Sequence, residues 1–512
     1  MALTVSVSSE LIEGRLVVRQ THHERLDYPT SRCNRVLDCA NIGDKMTNYG
    51  KLTGELIREL ADICGSGNSI SDRDAMHDYA RDESPHAEIR FPEAVVKPED
   101  TATVSRIMSF ASKYKIPVTP RGAGTGLSGG CIPLFGGIVL SLENMNRIVR
   151  IDKENFTAVT EPGVPMANLC VEIESKGLYY PLYPGEMTAT IGGTVSTNAG
   201  GMNAVRYGVT RNNILGLEAV LSSGDIINTG GEYVKSSSGY DLTQLIAGSE
   251  GTLAVITKII LKLTTKPPKR EVLFAPFSSL QDAIDTVPEI LHLRMIPAGL
   301  EFMERRIISI IEDYLEREIP YPEYDAFLMI IMDGDSEDEI HEYFDITGEI
   351  CKKHGAAEAL VPGSEHAKRR LLEAREKFYH AIKRYAPMEL VDTVVPRSRI
   401  PNFVRQVKEI SDQHGITIII YGHAGDGNVH LHPLCENMDE DEWKNKLPSL
   451  LKDIYQAAIS FGGAVSGEHG IGIEKKPYLP IQIDEPLLAV MKRVKQAFDP
   501  DNILNPGKIF DI

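Results

Sequence analysis

The sequence predicts an α+β fold with more than one domain. Its 512 residues, 42% hydrophobic and 25% charged, can bury more than one core, so we expect two or three domains. From about residue 90 onward, short apolar strands alternate with segments of helical periodicity. Residues 94–97 read as the first such strand. Residues 98–101 then begin a helix whose apolar face carries Val104, Ile107 and Met108.

The first 45 residues differ from the rest of the chain. Residues 9–45 mix charges, two histidines and two cysteines without sustained periodicity, whereas residues 49–63 carry a clear helical apolar stripe. We therefore expect residues 1–45 to be a flexible leader and the functional fold to begin near Met46. The leader could also be an added segment or the product of an upstream start.

Charge and cysteine usage exclude several classes of protein. A formal charge of -18 argues against non-specific binding to nucleic acid or anionic membranes, because a polyanion would be repelled. The seven cysteines include no CxxC pair, which excludes an obvious iron–sulfur or zinc-ribbon motif. No apolar run approaches the length of a membrane span, and the N-terminus lacks a secretion signal. We expect a cytoplasmic protein with reduced thiols.

A glycine-rich loop at residues 120–130 follows the next predicted strand, residues 116–119. The loop reads Pro-Arg-Gly-Ala-Gly-Thr-Gly-Leu-Ser-Gly-Gly and contains a formal GxGxxG match, which is weak taken alone. A nicotinamide-binding unit needs a helix after those glycines, whereas residues 138–142 read as a strand. Because glycines let backbone N–H groups approach an anion, we interpret the loop as a pyrophosphate cradle. A purely structural turn is the alternative.

A second glycine-rich array occupies residues 183–208. Its small hydroxyl and amide side chains could line a long cofactor. Residues 217–227 then read as a hairpin, and residues 247–256 as a turn followed by a strand. Any one of these segments is typical of a turn, but three in succession indicate a binding surface.

Histidines and carboxylates cluster in two segments near the C-terminus, residues 421–432 and 466–472. The first segment joins two predicted strands, residues 416–421 and 429–434, and places His430 and His432 on the same side of a sheet. Such a cluster predicts a mixed nitrogen and oxygen metal site beside a free imidazole base.

The predicted ligands of a divalent ion (zinc, iron or manganese) are His423, His430 and Glu468. The neighbouring His469 is the candidate base. The alternative is that these are ordinary polar residues around a tight turn.

Six ordered motifs resemble the FAD-dependent D-2-hydroxyacid dehydrogenases of the vanillyl-alcohol-oxidase superfamily. They are PRGAGTGLSGG, YPGEMTATIGGTVSTNAGG, SSGYDLTQLIAGSEGTL, GHAGDGNVHLH, SGEHGIG and FDPDNILNPGK, and the resemblance runs from about residue 55 to the C-terminus. The group includes D-lactate dehydrogenase, the flavin subunit of glycolate oxidase and D-2-hydroxyglutarate dehydrogenase. This resemblance implies an oxidoreductase and flavoprotein.

The resemblance also implies a division of the chain. A two-lobed FAD-binding domain of the vanillyl-alcohol-oxidase type would span residues 46–267, and an α+β substrate (cap) domain with the metal site would span residues 268–460. Residues 461–512 would return to the FAD domain and the active site. Strand–helix patterns at residues 271–293, 326–354 and 390–414 agree with this division.

Cofactor-binding residues follow from the same resemblance. They are expected at Pro120, Arg121, Gly122, Ala123, Gly124, Thr125, Gly126, Ser128, Gly129, Pro184, Gly185, Thr190, Gly193, Thr194, Thr197, Asn198, Gly200, Gly201, Tyr207, Gly208, Glu250, Ile256 and Asn505. Some relatives attach FAD covalently through a histidine just before the first glycine loop. Residues 116–121 contain no histidine, so we expect non-covalent FAD.

The implied chemistry is oxidation of a D-2-hydroxyacid to a 2-oxo acid, with hydride leaving for the flavin. His469 would remove the hydroxyl proton, while the metal would stabilise developing alkoxide charge. Arg375 matches the arginine that grips the substrate carboxylate. Tyr379, one turn on along the same predicted helix, would help to size the pocket.

Two positions favour a short monocarboxylate substrate. Relatives that take dicarboxylates carry an asparagine where His432 stands and a lysine at the place of Leu390. We therefore expect D-lactate first and glycolate second, rather than 2-hydroxyglutarate. The expected electron acceptor is an electron-transferring flavoprotein or an iron–sulfur subunit. The rival interpretations are a redox-neutral transferase like alkyl-dihydroxyacetone-phosphate synthase and an assembly subunit with a degenerate site.

Overall fold

The computed structural model describes residues 49–65, 67–85, 88–182, 185–436 and 438–512, together with the backbone of two short paired strands, Leu11–Ile12 and Arg15–Leu16. Apart from those strands, the predicted leader lies outside the described residues, as does Pro184. The described part mixes helices and strands, which confirms the α+β class.

A first sheet carries the glycine loop. Within the described ranges it has four strands, in the order Ser69–Ile70, Ala94–Val96, Ile138–Ser141 and Val118–Arg121. The strand before the loop and the strand after it are parallel neighbours, and no helix lies between them. The sequence argument against a nicotinamide-binding unit is therefore confirmed.

Helix Thr101–Tyr114 packs on this sheet as predicted. The Asp100 side chain caps it by accepting a hydrogen bond from the Thr103 backbone N–H at 2.7 Å. Val104, Ile107 and Met108 are fully buried in the same core as Ile138 and Val118.

A second sheet is antiparallel throughout. Its described strands are ordered Ile226–Gly230, Ile214–Val220, Val255–Lys262, Thr157–Thr160 and Ile148–Asp152. The first two form the predicted hairpin, with Val220 opposite Ile226. Directly after strand Val255–Lys262, the short strand Thr264–Thr265 pairs with Leu178–Tyr179 in a separate antiparallel ladder.

The third sheet carries the histidines. In the part of the chain that the structure describes, its strands are ordered Lys269–Phe277, Ala326–Gly334, Gly299–Glu304, Ile418–His423, Asn428–Pro433 and Val391–Val394. The three predicted strand–helix patterns are present. Strand Gly299–Glu304 and helix Arg305–Leu315 were not predicted, because Glu301 interrupts the apolar pattern of a buried strand.

The remaining helices complete the layers around these sheets. They are Gly54–Cys64, Met166–Ser175, Ile191–Thr197, Ala204–Tyr207, Leu242–Ile246, Leu280–Leu291, Glu337–Lys353, Glu365–Glu376, Phe378–Tyr385, Ile400–His414, Glu440–Ser460, Leu479–Gln482 and Glu485–Phe498. The prediction that one helix carries both Arg375 and Tyr379 is wrong in one respect, because a turn at Lys377 divides this segment into two helices. No described helix is both long and apolar enough to cross a membrane.

The C-terminal segment packs against the first sheet. Leu504 forms a parallel bridge with Val118. The Asn505 side-chain amide donates to the carbonyls of Gly130 (2.9 Å) and Glu250 (2.7 Å). These bonds join the chain terminus to the glycine loop.

Candidate active site

One large cavity collects most of the residues predicted for the site. Its lining includes Pro120, Arg121, Gly122, Ala123, Gly124, Thr125, Gly126, Ser128, Gly185, Thr190, Gly193, Thr194, Thr197, Gly200, Gly201, Glu250, Ile256, Arg375, Tyr379, His423, His430, Glu468 and His469. Tertiary structure thus brings both glycine arrays together with the histidine cluster, although up to some 350 residues separate them in sequence.

Five of the predicted cofactor-binding residues do not line the cavity but belong to the structure around it. Gly129 and Gly208 have positive φ angles, and Asn198 ends a helix in the left-handed conformation. The Tyr207 hydroxyl donates to Asp333 at 2.8 Å. Asn505 ties the C-terminal segment to the loop, as described above.

The two glycine arrays approach each other too closely for side chains. A Cβ atom on Gly122 of the first array would lie 2.3 Å from Thr190 Oγ1 of the second; within the first array, one on Gly124, whose φ is +79°, would lie 2.0 Å from Arg121. The Thr190 hydroxyl caps helix Ile191–Thr197 by accepting from the Gly193 N–H. The lining is therefore an open run of backbone between two glycine-rich loops, which fits a long phosphate-bearing cofactor such as FAD.

The predicted metal ligands converge in the same cavity. On the paired strands, Tyr421 stands opposite His430 and His423 opposite Asn428. His423 Nε2 and His430 Nε2 each lie 3.4 Å from Glu468 Oε1. Two ligand atoms about 2.1 Å from one ion at a tetrahedral angle lie about 3.4 Å apart, so the trio has the spacing of a preformed metal site.

The charges around His423 also suit a cation. Burial alone would lower the pKa of His423, but the carboxylates of Glu301 and Glu468 raise it well above its ordinary value. Burial and the charge of His423 hold the pKa of His430 well below its ordinary value. The site therefore favours one positive charge between the carboxylates and keeps the second imidazole neutral, as a metal ligand must be.

Gly200 makes room for Glu468. A Cβ atom at residue 200 would lie 2.4 Å from Glu468 Oε2. The carboxylate is thus pressed between the second glycine array and the two imidazoles, so the glycine array helps to place a candidate ligand as well as the cofactor.

Asp392 is a second carboxylate beside the histidines, and the sequence analysis missed it. Together with His430 and His469 it forms another trio of potential ligands. Its Oδ2 already accepts hydrogen bonds from the backbone N–H groups of Gly467 (3.0 Å), Glu468 (3.1 Å) and His469 (3.0 Å), from Lys475 Nζ (3.0 Å) and from Ser466 Oγ (3.0 Å). Asn428 donates to Oδ1 at 2.7 Å. Since these donors occupy its lone pairs, Asp392 fits an anchor for the loop better than a metal ligand.

Comparisons with known proteins show the family to which the chain belongs. The FAD binding domain matches residues 92–230, and the C-terminal domain of the FAD linked oxidases matches residues 266–509. The chain is 40% identical to glycolate oxidase subunit GlcD of Bacillus subtilis, over 90% of this chain and 97% of that protein. It is 37% identical to a D-lactate dehydrogenase of Anaerostipes hadrus, over 90% of this chain and 98% of that protein.

The chain belongs to the FAD-linked oxidases. A solved structure of p-cresol methylhydroxylase superposes with a TM-score of 0.73 at 16% identity, covering 92% of this chain and 97% of that one. At that identity the likeness shows the fold alone. It confirms the vanillyl-alcohol-oxidase type predicted from the motifs.

His469 in this FAD-linked oxidase lies beside the carboxylate of Asp392. Its Nδ1 is buried 3.8 Å from Asp392 Oδ2, and its ring stacks on that of His430 with centroids 5.5 Å apart. Burial lowers the pKa of His469, against the opposing pull of Asp392. A neutral imidazole beside a carboxylate is what a general base needs.

Asp392 itself is ionised. Burial alone would raise its pKa, but His469, Lys475, His430 and the backbone N–H groups hold that pKa well below its ordinary value. A fixed negative charge therefore lies behind His469.

Arg375 and Tyr379 both reach the cavity across the turn at Lys377. The Arg375 guanidinium is nearly buried, contacts Glu301 and lies 4.9 Å from the centre of the Tyr421 ring. The Tyr379 hydroxyl donates to the Glu83 carbonyl at 3.1 Å, and burial raises its pKa. Tyr379 therefore remains a neutral phenol at the cavity wall.

His432 lies behind the cavity wall rather than in it. Its Nε2 is 2.9 Å from the Tyr421 hydroxyl, its Nδ1 is 3.2 Å from Met388 Sδ, and burial lowers its pKa to about 3. Leu390 and Tyr421 line the cavity instead. The interpretation of His432 as a residue facing the substrate therefore needs correction, because His432 packs against the lining residues Tyr421 and Tyr379 and does not itself line the cavity.

The carboxylates that the sequence analysis missed share a signal. Asp392 is the sole charge of strand Val391–Val394, and Glu301 lies between the apolar residues Leu300 and Phe302 of strand Gly299–Glu304. Both side chains are fully buried. A lone carboxylate in such a strand must find partners in the fold, because burial of an unpaired charge is costly.

Proposed function

We propose that this FAD-linked oxidase oxidises a short D-2-hydroxyacid to the 2-oxo acid, with D-lactate the first candidate and glycolate the second. The observation that carries the proposal is the convergence, in one cavity, of the glycine-lined cradle with Arg375, His469 and the trio His423, His430 and Glu468. FAD, bound non-covalently along the cradle, would supply a two-electron acceptor. A divalent ion held by the trio would supply Lewis acidity at the substrate oxygen.

The chain's own residues would bind, orient and deprotonate the acid. Arg375 is a planar donor suited to one carboxylate. Because His469 Nδ1 is buried towards Asp392, Nε2 is the atom left to face the cavity and take the hydroxyl proton. Asp392 would stabilise the imidazolium that forms, through its ionised carboxylate. Tyr379 and Leu390 would limit the length of the substrate.

The charges of the lining support a monocarboxylate. Among the described lining residues, the guanidinium and ammonium groups are those of Arg121 and Arg375, and Arg121 already donates to the carbonyls of Asp78 and Arg81. Carboxylates elsewhere in the lining belong to Asp82, Glu83, Glu186, Glu250 and Glu376. Among the described lining residues, a second substrate carboxylate would therefore find no lysine and no further arginine to pair with.

Anaerobic mixing tests the proposal. D-lactate, L-lactate, glycolate and D-2-hydroxyglutarate are added separately to the flavin-loaded enzyme while the flavin absorbance is followed, with and without a metal chelator. We expect bleaching by D-lactate that the chelator slows. His469→Ala should lose bleaching with its metal still bound. His414→Ala, a histidine outside the cavity paired with Asp453, should bleach normally. No bleaching by any acid would contradict the proposal and favour a redox-neutral reaction.

The preference for one carboxylate has its own test. Leu390→Lys places a cation in the lining, so it should raise kcat/KM for D-2-hydroxyglutarate relative to D-lactate. An unchanged ratio would contradict the assignment of Leu390 as a wall of the substrate site.

The electron acceptor is proposed to be another protein, an electron-transferring flavoprotein or an iron–sulfur subunit. Support comes from the sequence, whose seven cysteines are scattered and include no CxxC pair of the kind that binds an iron–sulfur cluster. Reoxidation of the bleached flavin by a purified electron-transferring flavoprotein, but not by NAD, is the expected result.

A further inference from the structure

One buried carboxylate, that of Glu301, contacts both halves of the candidate active site. Glu301 lies on strand Gly299–Glu304, directly opposite His423 on the neighbouring antiparallel strand. Its side chain is fully buried. Oε1 is 2.7 Å from His423 Nδ1, and Oε2 accepts from Arg375 Nε at 2.8 Å, with Arg375 Nη2 2.7 Å away. Each oxygen of this carboxylate therefore serves a different functional residue.

The contact with His423 fixes a metal ligand. When Nδ1–H donates to Glu301, the lone pair of Nε2 is left for an ion, and Nε2 is the atom 3.4 Å from Glu468. A carboxylate behind a metal-binding histidine holds the ring orientation and raises its basicity. The cross-strand pairing of residues 301 and 423 makes this contact independent of any loop.

The contact with Arg375 fixes the candidate carboxylate-binding group. The edge of the guanidinium that carries Nε and Nη2 faces Glu301, and Glu301 thereby leaves Nη1 of this lining residue for a substrate carboxylate. The ring of Tyr421, 4.9 Å from the guanidinium carbon, restricts its tilt. The anion of Glu301 also separates two positive centres, the guanidinium and an ion on His423, which would otherwise repel each other.

We propose that Glu301 is a positioning residue that orients the metal-binding histidine and the substrate-binding arginine at once, so that metal affinity and hydroxyacid binding depend on one carboxylate. This inference rests on the proposed function. A purely structural ion pair at the same place would alter the stability of the fold and leave both affinities intact.

The test is Glu301→Gln, which keeps the shape but removes the charge and one acceptor. Zn²⁺ affinity is measured on the metal-stripped protein by competition with a chromophoric chelator, a readout that needs no turnover. We expect it to fall by about 10–100-fold, the usual cost of losing a carboxylate behind a ligating histidine. At saturating Zn²⁺, the KM for D-lactate should rise by about tenfold or more, because a charge-assisted hydrogen bond that orients Arg375 is lost.

Glu304→Gln is the matched control. Glu304 is a carboxylate on the same strand with the opposite strand parity, and it accepts a hydrogen bond from the Ile420 N–H at 2.8 Å. The contacts described for Glu304 include neither His423 nor Arg375, so the Zn²⁺ affinity and the KM for D-lactate should stay within about twofold of wild type. Should Glu301→Gln fail to fold, Glu301→Asp takes its place, because it keeps the charge but is one methylene shorter. In that variant the Zn²⁺ affinity should still fall and the KM for D-lactate should still rise.

The outcomes separate this inference from the function on which it rests. A folded Glu301→Gln protein with unchanged Zn²⁺ affinity, or with unchanged KM, would overturn the linkage while leaving the active site as proposed. A wild-type protein that binds no Zn²⁺, Fe²⁺ or Mn²⁺ would overturn the metal site itself.

Discussion

Replacing Asp392 by asparagine is expected to separate the loop at residues 466–470 from the histidine strands. The Asp392 carboxylate receives three backbone N–H groups of this loop and the ammonium of Lys475. Asp392 is fully buried and Lys475 nearly so. An asparagine keeps one acceptor oxygen and presents an NH₂ group where a lone pair stood, so at least one donor is left without a partner.

The magnitude follows from that burial. Removing one member of a buried ion pair costs about 3–5 kcal/mol, because the other charge stays buried without compensation. We therefore expect the free energy of unfolding to fall by about 3–5 kcal/mol. Adding Lys475→Met should recover a large part of this loss, since it removes the unpaired ammonium. The double variant should still bind Zn²⁺ weakly, because the N–H groups of residues 467–469 remain unanchored.

Urea unfolding and chelator competition measure these two quantities. Asp499→Asn is the matched control: Asp499 is also buried, pairs with the buried Lys495 and accepts from the backbone N–H groups of Ile503 and Leu504, but it lies outside the cavity lining. It should lose comparable stability and keep its Zn²⁺ affinity. An Asp392→Asn protein as stable as wild type, or one that is destabilised yet binds Zn²⁺ normally, would refute the reasoning.

Three further predictions concern single side chains. Gly200→Ala should lower Zn²⁺ affinity with little change in stability, because the new Cβ, 2.4 Å from Glu468 Oε2, displaces a flexible side chain. Gly130→Ala is the control: a Cβ at that position would have no atom within 4 Å, so this variant should bind Zn²⁺ normally. Gly122→Ala should weaken FAD binding, measured by flavin fluorescence, because its Cβ would lie 2.3 Å from Thr190 Oγ1. Burial raises the pKa of Glu304 to about 7. The folded state therefore holds a proton that the unfolded state releases, so the free energy of unfolding should fall as pH rises from about 4.5 to 7. Glu304→Gln should remove this pH dependence. In urea unfolding at pH 8, its free energy of unfolding should exceed that of the wild type by up to about 3 kcal/mol.

The sequence predicted the class of fold, and its motifs, through the family that they resemble, predicted most of the cavity lining. The strand predicted after the glycine loop at residues 120–130 argues against a nicotinamide-binding unit, and the structure places no helix between strands Val118–Arg121 and Ile138–Ser141. Alternation and periodicity predicted the hairpin and the three strand–helix patterns of the third sheet, because these depend on local burial. The candidate ligands His423 and His430 were also readable, since histidines around a glycine turn are rarely explained by packing alone.

Only the tertiary structure decided which carboxylates serve those histidines. Glu301 and Asp392 are more than 30 residues from the histidines they contact, and their roles arise from strand pairing across the sheet. His432 has the same parity as His430, yet it packs behind Tyr421 rather than in the cavity. Local periodicity fixes the face of a strand on which a side chain lies. The partner that satisfies a buried charge is set by strand order and packing, which are non-local.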